Sequence, residues 1–178
     1  KEYIEMLRPT GVINFGDFET NYPVPVFLDS TAIYERRGGD FTIKQLAMLR
    51  GIIKEAGDSL GLKLLKEVDN PNEARIRLDY GSSFHVIPYY SRDNNGNWKI
   101  DSSRVYLGLG DPLAESERII ARHELIGHMN APFHSQYGDD ITNTALYNGK
   151  TYSKADKLAL RALALAKPGT YWKKFVKR

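Results

Sequence analysis

The stretch RHELIGHMNAPFH, from Arg122 to His134, holds three of the four histidines in the chain, and its spacing limits what the local backbone can do. Each step along an α-helix turns a side chain by about 100°, so positions four apart differ by roughly 40° and positions five apart by roughly 140°. His123 and His128 are five apart, and on a regular helix they face opposite ways. If both bind one metal ion, one extra residue must be looped into the helix as a π-type bulge, a distortion often found at functional sites. The bulge is expected at Leu125 to Gly127, because Gly127 has no Cβ to resist the turn and Ile126 can point into the core. At least one i to i+4 hydrogen bond between Arg122 and His128 is then broken.

The chain around this stretch is that of an ordinary folded protein. At 178 residues it suits one domain, expected over 24–178 after an irregular arm at 1–23, with a core large enough to fold without staples. It has no cysteine, so neither disulfides nor a thiolate site is available, and any metal must be held by nitrogen and oxygen. No apolar run approaches the roughly 20 residues of a membrane span. The net charge of +3 owes much to the closing WKKFVKR, read as a solvated tail; no nucleic-acid signature accompanies it. The sequence starts at Lys1 without a charged-then-apolar leader, so a cellular address can be expected only from function.

Patterning predicts an α+β order of strand, helix, strand, strand, strand, helix, helix. VPVFLD is a strand in which Pro25 suggests an edge or a start. In TIKQLAMLRGIIKEAGDSLG, the residues Ile43, Leu46, Ala47, Arg50, Ile53, Ala56 and Leu60 recur at helical spacing, and Gly61 ends the helix. ARIRLDY alternates with a period of two, as a half-buried strand does. FHVIPYY is a weaker strand, RDNNGNW a turn, and SRVYLGLG (Ser103 to Gly110) a further strand. Asp111 and Pro112 predict a helix start that leads into the histidine stretch, with Asn130 and Pro132 closing it and His134 beyond. Ser153 with Asp156 predicts a capping box for the last helix, stopped at Pro168-Gly169.

HELIGH lengthens by one residue the HExxH signature, in which two imidazoles on one helix face bind zinc and the adjoining Glu is the general base. The step from His128 to His134 equals that between the second and third histidines of HExxHxxGxxH. On these residues the sequence resembles the metzincin clan of zinc endopeptidases, over most of residues 24 to 167. EARIRLDY is similar to the clan's ADIRI-type strand, and SRVYLGLG stands where its edge strand precedes the active-site helix. His134-Ser135 resembles the HS pair of matrixins, and YSKADKLALRALA resembles their closing helix.

The resemblance implies a zincin-like α+β fold: a twisted mixed sheet with a long backing helix, an active-site helix and a C-terminal helix. It implies Zn2+ held by His123, His128 and His134, with Glu124 catalytic in peptide-bond hydrolysis, and a secreted or periplasmic address. An extended peptide substrate is expected on the edge strand near Tyr106, Leu107 and Gly108. The sequence departs from the clan in three places. The HExxxH spacing is one, although dipeptidyl peptidase III enzymes carry a similar HExxGH and bind zinc through both histidines. Ala131 replaces the clan's Gly, and no methionine follows His134, the three being Met6, Met48 and Met129. The Met-turn is therefore altered, with Leu146 expected to supply its apolar floor.

Other readings of the same residues stay open. Glu124 and His128 are four apart, so they could hold a metal with His134 and leave His123 outside, which consumes the base and makes a binding or structural site. A catalytically silent metzincin-like domain that binds protein or cell-wall material is the alternative from another class. Among Tyr137, Tyr147 and Tyr152, Tyr147 is the candidate for hydrogen-bonding an oxyanion. His85, in an apolar run, is read as a packed or surface residue and not a fourth ligand.

Overall fold

The computed structural model describes residues 13–28, 41–128 and 151–170. Its centre is a five-stranded mixed sheet of β1 (Val24–Leu28), β2 (Leu65–Glu67), β3 (Ile76–Tyr80), β4 (His85–Arg92) and β5 (Trp98–Leu107), in the order β2-β1-β3-β5-β4. All neighbours are parallel except β4, which runs antiparallel to β5. The described helices are a single turn α1 (Phe18–Asn21), the long α2 (Ile43–Leu60), α3 (Glu115–Arg122) continuing as a π-helix over His123–His128, and α4 (Lys154–Leu165). A 3-10 turn at Pro71–Glu73 leads into β3. The mixed sheet, the backing helix, the histidine-bearing helix and the C-terminal helix agree with the α+β class. No helix among the described residues is long and apolar enough to cross a membrane.

The strands follow from alternation. In β1, Val24, Val26 and Leu28 are buried, and in β3, Ile76 and Leu78 are buried while Arg77 and Asp79 take the other face. Contrary to the edge suggested by Pro25, β1 is interior, between β2 and β3. The proline is tolerated because its carbonyl accepts from Arg75 N–H while its missing donor falls before β3 begins, at a strand start. LKE forms a short strand, β2, that the alternation did not signal.

The backing helix buries Gln45, Leu49, Ile52, Ala56 and Leu60. This stripe is rotated from the expected one, and Ile43 is 87% exposed. The reason is Gln45, a polar residue on the buried face. Its Oε1 accepts from Thr42 N–H in a capping box, and its Nε2 donates to the carbonyls of Leu109 and Gly110. Gly61 closes the helix at φ 61°, in the left-handed region where glycine is favoured. The last helix carries the expected box, with Asp156 N–H donating to Ser153 Oγ and Ser153 N–H to Asp156 Oδ2.

Residues 13–23, the described part of the expected arm, carry regular local structure. Asp17 caps the turn of α1, and Phe15 belongs to the hydrophobic core. Asn14, fully buried, donates from Nδ2 to the carbonyls of Leu163 and Ala166, both at 2.7 Å, and its own carbonyl accepts from Ile100 N–H. The side-chain amide thus closes the end of α4, and the main-chain carbonyl of the same residue ties it to β5. Asn14→Ala strands two helix-end carbonyls, and the expected loss is about 2–4 kcal/mol of stability in urea unfolding with unchanged slope. A loss below about 0.5 kcal/mol would show that water replaces the amide.

Candidate metal centre

The helix that carries the histidines is set up by a clamp ahead of it. Tyr80 Oη and Gln45 Nε2 both donate to the carbonyl of Leu109, at 3.0 and 3.1 Å. Glu117 then accepts from Gly110 N–H on Oε1 and from Ala114 N–H on Oε2, at 2.8 and 2.9 Å. This carboxylate caps the helix from within its first turn, so α3 starts at Glu115 and not at Asp111-Pro112 as expected.

At His123 the helix changes character. The His123 N–H is shared between the carbonyls of Ile119 and Ile120, and the six residues His123–His128 form a π-helix. The expected bulge is therefore present, spread over the whole HELIGH segment instead of Leu125 to Gly127 alone. Bonding from i to i+5 draws backbone positions five apart closer around the axis than an α-helix does. Leu125 and Ile126 are consecutive and both fully buried in the hydrophobic core. The added residue therefore fills core volume.

Two of the candidate site residues sit in this wall. His123 is 1% exposed and Glu124 7%. Burial pushes the Glu124 carboxyl up to about 7. The backbone of His128 is described and its imidazole is not. His134, Tyr137, Leu146 and Tyr147 lie outside the described residues, as do Asn130, Ala131 and Pro132. Among the described residues no three His, Asp or Glu side chains converge on a metal position. His123, Glu124 and the backbone of His128 are the parts of the expected set that the structure places together.

The residues expected to dock substrate are placed differently. Tyr106 and Leu107 belong to β5, which is interior: Tyr106 is paired with Asp79 on one side and His85 on the other, and Leu107 is buried beside Tyr80. Gly108 lies just past the strand, its Cα against the backbone of Ser82 and Ser83. The edge strands are β2 and β4, and β4 also runs beside the π-turn. His85, on β4, is exposed, stacks on Tyr106 at 4.5 Å and pairs through Nδ1 with Ser83 Oγ.

Sequence reasoning missed a polar cluster behind the turn. The Arg122 guanidinium, 3% exposed, places Nη2 2.9 Å from Glu55 Oε2 on α2. Tyr152, at the start of α4, is buried close enough to feel both charges, and burial raises its hydroxyl well above the usual phenol range. An arginine on the buried face of a helix was the available signal, since such a charge needs a partner.

No protein-family model matches the chain, and no curated protein or solved structure matches it.

Glu124 makes the metal-free protein sensitive to pH in a defined direction. An ordinary Glu ionises near 4.5 and this one near 7, so the folded state holds the proton more tightly than the unfolded state. Ionisation then favours unfolding: the contribution to stability is full below about 4.5 and is lost as pH rises through about 7. In excess chelator, urea midpoints between pH 4.5 and 8 should fall further for the unaltered protein than for Glu124→Gln. Equal slopes would mean that Glu124 ionises as freely folded as unfolded.

Proposed function

We propose that the chain is a zinc-dependent peptidase of the metzincin type, with His123, His128 and His134 as metal ligands and Glu124 as general base. The observation that carries this reading is the π-turn at HELIGH. A spacing that a regular helix would splay is met by the one distortion that draws the two positions together, at a buried carboxyl. Three imidazoles form a neutral nitrogen donor set of the kind zinc takes while keeping a fourth position open. When bound, zinc supplies Lewis acidity, acidifying water and polarising a carbonyl.

The chain's own part is proton handling and orientation. Glu124, in a desolvated wall, takes a proton from the attacking water and delivers it to the leaving amine, so that one water is consumed and an acid and an amine are released. Leu125 and Ile126 keep water from the rear of the helix.

Peptide docking on β4 fits the same site. Ser103 N–H donates to the carbonyl of Arg75, the residue just before β3, so the backbone at Ser103 faces away from β4, and its partner Pro88 faces the outer edge. Val86, two residues earlier, faces outward as well. The edge thus offers the N–H and carbonyl of Val86 and the carbonyl of Pro88 to an extended peptide, in place of the expected Tyr106 to Gly108.

One zinc per chain is the expected content, removable by chelators with the fold retained. Glu124→Gln should keep the metal and lower peptide hydrolysis by about 10²–10⁴-fold. Loss of zinc in that variant would make Glu124 a ligand, as in the scheme that leaves His123 out, and an unaltered protein that binds zinc and cleaves no unfolded substrate would be the silent domain.

Pro88→Ala restores an outward donor, so KM for an extended peptide should fall roughly 2–10-fold, the worth of one net hydrogen bond. Unchanged KM with new self-association would mean that Pro88 only guards an exposed edge.

A further inference from the structure

Resting on the metal reading above, we infer that Glu55, on the backing helix and outside the histidine motif, is a positioning residue for zinc binding that acts through Arg122. Arg122 is the last α-helical residue before His123, and its buried guanidinium meets Glu55 Oε2 at 2.9 Å. Arg118, one turn earlier, reaches the same oxygen at 3.6 Å. A single carboxylate on α2 therefore holds two successive turns of α3.

This matters because an extra residue can be absorbed at more than one place along a helix. If the π-turn began one residue earlier, the residues beyond the shift would rotate by about 100° and His123 would leave its face. Arg122 would then be buried without its carboxylate, which is strongly unfavourable. The pair thus forces the extra residue to be taken up after Arg122, within HELIGH. The anchor is itself fixed, since α2 is capped by Thr42 and Gln45 and buries five positions along its length. Tyr152, buried just ahead of α4, lies close enough for both charges to act on its hydroxyl.

The test measures zinc affinity by competition with a chromophoric chelator, and stability by urea unfolding of the metal-free protein. Glu55→Gln should bind zinc about 10–100-fold more weakly, the usual effect of removing a group that orients a ligand. Because that change also takes the Glu55 carboxylate from a buried guanidinium, the double variant Glu55→Leu with Arg122→Met removes both charges and should recover stability while zinc binding stays weak. Asn14→Ala, at the joint between α4 and β5, is the comparison: it lowers stability and should leave zinc affinity within about twofold, since it touches no part of the metal site.

Zinc affinity in Glu55→Gln or in the double variant within twofold of the unaltered protein would overturn the inference, as would a parallel fall in Asn14→Ala. An unaltered protein that binds no zinc would overturn the metal reading and this inference together, and it is told apart by the first titration.

Discussion

Main-chain carbonyls left over at the ends of strands and helices cannot be buried unpaired, and this requirement governs how the described elements fit together. Three polar side chains meet it. Gln45 takes the carbonyls of Leu109 and Gly110, Asn14 those of Leu163 and Ala166, and Arg75 those of Phe15, Ile100 and Asp101. Each joins elements far apart in sequence. The path of the chain into the histidine helix is set by the first of these, and the seat of the last helix against β5 by the second.

The fold was legible where one chemical signal dominated. Alternation in ARIRLDY gave β3, and Ser153 with Asp156 gave the start of the last helix, because a period or a cap is written in adjacent residues. It failed where a distant group overrode the local pattern. The buried face of α2 was misread because Gln45 occupies it for the sake of two carbonyls over sixty positions away. Asp111-Pro112 reads as a helix start, yet Glu117 reaches back to cap a later one. SRVYLGLG reads as an edge strand, but sheet order is a property of crossovers, which no single strand encodes.

The candidate site divides the same way. The spacing of His123 and His128 dictates a π-turn if both face one ion, and the turn is there. The spacing says nothing of what holds that turn in phase. Glu55 reads in sequence as one more solvated charge on an amphipathic helix, and only the tertiary fold brings it to Arg122.

The pairing of β4 with β5 slips at one point: Tyr89 faces Ser102 while Tyr90 faces Ile100, leaving Asp101 as an extra residue whose carbonyl goes to Arg75. The consequence is kinetic. Of the four pairings among the described strands, this hairpin alone closes across a short turn; the other three are parallel and must bring together segments separated by a crossover. Loop-closure entropy therefore favours the hairpin as the first pair to form, and a bulge penalises its misaligned versions, since a shifted hairpin would carry the extra residue to the wrong place. The parallel strands then add to an edge whose alignment is already decided.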